Sequence, residues 1–147
     1  RRPAMSDIAV ENYKKGVANA LDRWAKKVKP VAEQIDKLNS VLKKLLENKS
    51  PSAEDKKKID DCKAARDKLQ KKIETFDLEL KTDLMLLDMP QKGKADEKEI
   101  VKLPKWIEEI VKKKGVSIGT VAVAPDIDID FKAGKLKKVG LIIKFTF

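Results

Sequence analysis

Histidine is absent from the chain, and cysteine occurs once, at Cys62. The first absence removes the commonest general base, every Ser–His and Cys–His nucleophile pair, and most zinc and iron sites. The second rules out an intramolecular disulfide. A reducing compartment, the cytoplasm first, is the expected setting, with secretion without disulfides as the alternative. Arginine is scarce: of 34 Lys+Arg, only Arg1, Arg2, Arg23 and Arg66 carry a guanidinium. Aromatic residues number seven, and none is interleaved with the basic runs. Nucleic-acid readers lean on arginine forks and stacking rings, so binding of that kind is not expected. No apolar run approaches the ~18 residues of a membrane-spanning helix, and no stretch is patterned as a signal peptide.

What is abundant is lysine and helical periodicity. The formal net charge is +10 over 147 residues, unevenly spread. Residues 1–50 carry 12 basic and 6 acidic side chains, residues 51–90 carry 9 and 10, and residues 91–147 carry 13 and 8. Leu, Ile, Val and Phe together number 41, enough for a lean core and well suited to narrow helical seams.

Val17, Leu21, Trp24, Val28, Val31, Ile35, Leu38, Leu42 and Leu45 alternate spacings of four and three, an a/d seam over four heptads. Ser6 or Asp7 is its expected N-cap. Pro30 falls inside this seam and removes one backbone hydrogen bond. The phase holds from Val28 to Val31, which favours a bend over a three-helix bundle broken at Lys29. Asn48 to Ser52 read as a turn, and either Ser50 with Pro51 or Ser52 with Asp55 can cap a second helix. Its seam runs Ile59, Cys62, Arg66, Leu69, Ile73, Phe76, Leu80, Leu84 and Leu87. Folding at residue 50 sets Leu42 beside Ile59, Leu38 beside Cys62, Val31 beside Leu69 and Trp24 beside Phe76.

Pro90 ends this hairpin, residues 90–99 read as a polar linker, and Pro104 is expected to open a short helix stopped at Gly115. Leu103, Ile107, Ile110 and Val111 share its apolar face. Three strands follow: Val116 to Ala124, then Ile127 to Phe131, then a last strand in which Val139, Leu141, Ile143, Phe145 and Phe147 alternate. The expected fold is therefore α+β. A long antiparallel, coiled-coil-like helical hairpin (residues 6–89) precedes a short helix and a small three-stranded antiparallel sheet (residues 100–147), packed on the hairpin's open end.

Few residues offer chemistry. Cys62 sits at a seam position with no base nearby and reads as a structural thiol. Asp126, Asp128 and Asp130 share one strand face about 7 Å apart. Without a further acidic cluster they read as a solvated face balanced by Lys137 or Lys138 across the strand. Arg66 occupies a seam position and is expected to pair with Asp36 or Glu33. Asp77, Glu79, Asp83 and Asp88 lie level with Lys14, Lys15 and Arg23, which neutralises much of the hairpin's charge. The last strand resembles the terminal strand of bacterial outer-membrane β-barrels in its alternation and final aromatic, over about ten residues.

By elimination, the expected function is non-enzymatic protein–protein interaction, as adaptor, chaperone, inhibitor or assembly segment. No cofactor and no metal is called for. The docking face is expected around Trp106, Ile107, Leu141, Ile143, Phe145 and Phe147. The expected partner is an acidic protein, or a second copy through the C-terminal strand edge. A membrane-active, toxin-like protein is the alternative from another class, and a phosphate or nucleic-acid binder the third.

Overall fold

The computed structural model describes residues 5–91 and 96–147, with side chains from Ile8 onward. Helices α1 (Met5–Leu46) and α2 (Ala53–Met85) form the antiparallel hairpin. At 1.5 Å per residue the longer arm spans about 60 Å. Helix α1 already runs through Met5, so Ser6 and Asp7 lie within its first turn and do not cap it. It also continues unbroken through Pro30. Pro30 is exposed, so the carbonyl it leaves without an amide one turn earlier lies on the solvent side of the helix. Ser52 caps α2 in a reciprocal box, its hydroxyl accepting from the Asp55 N–H while Asp55 receives the Ser52 N–H.

The short helix is longer than the sequence suggests. Helix α3 (Glu97–Lys114) starts at an Asp96 cap whose carboxylate accepts the Lys98 N–H. Pro104 lies inside it and faces solvent, so Asp96 and not Pro104 sets the start. Helix α3 runs parallel to α1: Lys14 lies 5.7 Å above the Trp106 ring, and Lys114 pairs with Asp22 at 2.7 Å, eight residues farther along both helices.

Strands β1 (Val116–Ile118), β2 (Val121–Asp130) and β3 (Lys135–Phe145) make an antiparallel sheet in the order β1-β2-β3. The first strand ends at Ile118, not Ala124. The chain reverses at Gly119–Thr120, where Gly119 alone has a positive φ (54°), as a two-residue hairpin with glycine first requires. Pro125, which falls between the first two expected strands, sits inside β2 opposite Leu141.

One hydrophobic cluster joins all the layers: Val17, Leu21, Trp24 and Val28 of α1, Ile73, Leu80 and Leu84 of α2, Leu103 and Ile107 of α3, and Val121 and Val123 of the sheet. The sheet lies lengthwise on the hairpin. At the open end Phe131 meets Tyr13 edge-on, centroids 5.9 Å apart. Toward the turn, Thr120 bonds to Asp36 and Asn39. Beyond that point only two helices remain, so Ile59 and Cys62 are half-buried where the core end of α2 encloses Ile73, Leu80 and Leu84.

A candidate docking groove beside an open strand edge

A polar cluster fixes how the sheet sits on the stalk. The Thr120 N–H and hydroxyl both donate to Asp36 Oδ1, each at 2.8 Å. The backbone donor chiefly, and the hydroxyl with it, hold the Asp36 carboxyl below the usual range. The Asn39 amide donates to Thr120 Oγ1 at 3.0 Å, and its oxygen accepts from Arg66 Nη1 at 3.0 Å. Arg66 therefore pairs with neither Asp36 nor Glu33. Asp36 is taken by Thr120, and the guanidinium lies 4.7 Å over the Phe145 ring. Asn39, wholly buried, is the residue that sequence reasoning missed. Its partners lie 81 and 27 positions away, beyond any helical spacing rule.

With the sheet so placed, β2 has one edge half covered. Strand β3 pairs along all of it, whereas β1 pairs only with Val121, Ala122 and Val123. The Thr146 N–H donates to Thr120 O at 2.9 Å, continuing the β2–β3 ladder. Main-chain groups alternate sides along a strand, so even-numbered β2 residues address β3, and odd-numbered ones address β1 or the space beyond it. Pro125, Ile127 and Ile129 thus turn theirs to the open side. The register irregularity near Asp128 and Ile129 leaves Lys137 of β3 as the extra residue and does not interrupt β2. Pro125 costs no ladder bond here, because an N–H at that position would point away from β3.

Between this edge and α3 lies a groove of about 750 Å³. Ile107 and Val111 of α3 and Pro125, Ile127, Ile129 and Phe131 give it apolar walls, and Glu108, Lys112, Asp126 and Asp128 stand on its rim. A larger depression of about 1190 Å³ at the hairpin's open end, between Tyr13, Met85 and Leu136, opens next to Gln91. The α3–β2 groove differs from it in flanking a strand edge with unpaired main-chain groups.

The expected docking residues divide by face. Ile107 is buried in the core, and Leu141, Ile143 and Phe145 pack against it from the sheet's inner face. Trp106 is half-buried under Lys14 and ties α3 to α1. Phe147 is half-exposed, as is Ile142 on the sheet's outer face, and Ile142 borders the groove. Asp126 pairs with Lys138 at 2.7 Å, and that hydrogen bond raises the lysine pKa. Asp130 instead caps the β2–β3 turn, accepting from the N–H groups of Lys132 and Ala133. Among the described residues, no group of three or more acidic or cysteine side chains gathers as for a metal ion, and no helix is long and apolar enough to cross a membrane.

Along the hairpin, Arg23 pairs with Asp83 and Lys27 with Glu79, whereas Asp77 points inward to Trp24. Comparison with protein-family models, curated proteins and solved structures finds no match to this chain.

Proposed function

We propose that this chain is a non-enzymatic protein-interaction module, in which a long stalk presents a small sheet that takes up an extended segment of a partner protein. The supporting observation is the conjunction at β2. Residues Ala124 to Asp130 lack a strand partner on the side facing α3, and an apolar groove runs beside them. Seven residues at about 3.4 Å each offer roughly 24 Å of edge. Main-chain hydrogen bonds supply affinity in such additions, and the flanking groove selects side chains.

The test uses two variants of the full chain. Ile127→Pro removes an N–H on the open side while leaving the β3 ladder intact, as Pro125 already does. Val111→Phe fills the groove from α3 without touching β2. A partner captured by the native chain and identified by mass spectrometry should slow amide exchange at Ile127 and Ile129, and should be lost by both variants with α-helical circular dichroism unchanged. A partner that binds both variants at native strength, protecting amides elsewhere, would show the groove is not the docking site.

A further inference from the structure

If β2 is an augmentation edge, as proposed above, its two faces dictate what an incoming strand carries. Side chains of an added strand alternate between the faces of the sheet it extends. Those turned inward fall beside Pro125, Ile127 and Ile129 and over Ile107 and Val111, which are apolar surroundings. Those turned outward fall beside Asp126 and Asp128.

The two carboxylates are not equally satisfied. Asp128 stands directly across from Lys138 in the β2–β3 register, yet the Lys138 ammonium reaches diagonally to Asp126 at 2.7 Å. Among the described residues Asp128 takes no hydrogen bond or ion pair, and Lys138, bonded to Asp126, interacts with it through charge alone. Its side chain is exposed on the groove rim. We infer that the groove takes an extended partner segment in which apolar residues alternate with lysine or arginine, one basic side chain closing an ion pair with Asp128. Strand β3 shows the same pattern on the other side of β2, with Lys138 outward and Val139, Leu141 and Ile143 packed on the core.

A second copy does not suit this edge. Antiparallel pairing of two β2 strands about a twofold axis at Ile127 sets Asp126 of each beside Asp128 of the other, and like charges directly opposed are destabilising.

Two end-blocked nine-residue peptides, one alternating Val and Lys and the other Val and Glu, separate the possibilities when titrated into the full chain. The lysine peptide is expected to bind on the order of tenfold tighter at low salt. The gap should narrow at 0.5 M salt, and Asp128→Lys should reverse it. Equal affinities with slowed exchange at Ile127 and Ile129 would overturn the basic-partner inference and leave augmentation standing. Absence of slowing by either peptide at millimolar concentration would overturn both. Concentration-dependent protection of those amides without peptide would assign the edge to a second copy, against the inference.

Discussion

Among the described residues, Asn39 and Asp77 are the buried polar side chains, and the hairpin holds them differently. Asn39 has both ends of its amide bonded. Asp77 has one hydrogen bond, from Trp24 Nε1 at 2.8 Å. Burial pushes its carboxyl up to about 6; the indole donor opposes this and Glu74 adds to it. The folded pKa thus lies above the unfolded value of 3.8, so the buried charge costs stability above pH 6. Acidification from about 6 to about 4 should therefore stabilise the fold, by on the order of 2 kcal/mol. Asp36 and Asp130 run the other way. Backbone donors lower their pKa values, and their contribution is lost as pH falls below 3.8 through the folded values. Urea midpoints across pH 3–8 should peak between about 4 and 5, and Asp77→Asn, which keeps an acceptor for Trp24, should flatten the limb between 4 and 6. An unchanged limb in that variant would move the effect to another group. Gly119 is as tightly constrained. Its φ is positive, and a Cβ would fall onto the Asp36 carboxylate, so Gly119→Ala should cost about 1–3 kcal/mol in the same measurement.

At the scale of elements, the two faces of β3 behave oppositely under one substitution. Ile143 packs on the core, whereas Ile142 faces out at 44 % exposure. Ile143→Glu should destabilise by about 2–3 kcal/mol, and Ile142→Glu should stay within about 0.5 kcal/mol in thermal melts. Equal losses would mean that the sheet does not sit on the hairpin with this face. The elements differ in how far the sequence discloses them. Both long helices are legible because apolar residues recur at helical spacing, from Val17 to Leu45 in unbroken phase in α1 and from Ile59 to Leu84 in α2, and periodicity is a local property. Strand boundaries are less so: Val116 to Ala124 is one β-branched run, and the turn inside it is marked only by Gly119, while Pro125 looks like punctuation. Pro104 misleads in the same way, since a proline on an exposed helix face need not begin the helix. The groove is not legible at all. It exists because β1 is three residues long and α3 lies parallel to α1, and neither fact is written in any local pattern. Of the expected docking residues, alternation correctly sets Leu141, Ile143 and Phe145 on one face. It cannot say whether that face is the core's or a partner's.

The molecule as a whole is a stalk buttressed over most of its length and bare at its tip. From Tyr13 to Asn39, α1 is covered on one side by α2 and on others by α3 and the sheet, and Trp24, Val28 and Ile35 are enclosed. Past Asn39 the seam continues through Leu42, but Leu45 and Ile59 are only half-buried. The ion pairs Arg23–Asp83 and Lys27–Glu79 are exposed and add little. Stability should therefore come chiefly from the joint core, because a two-helix seam without a third layer buries little apolar area per ordered residue. A chain ending at Asp88 uncovers the faces of α1 that Leu103, Ile107, Val121, Val123 and Phe131 now shield. It should melt at least about 15 °C lower than the full chain or self-associate, as read by circular dichroism and light scattering. In the full chain, amide exchange should be faster at Leu42 and Ile59 than at Trp24 and Ile73. A truncated hairpin that stays monomeric and melts at the full chain's temperature would show that the stalk is an autonomous rod. The groove between α3 and β2 would then ride on it as a separate unit, and the Asp36–Thr120–Asn39 cluster would be a joint between two bodies instead of part of one core.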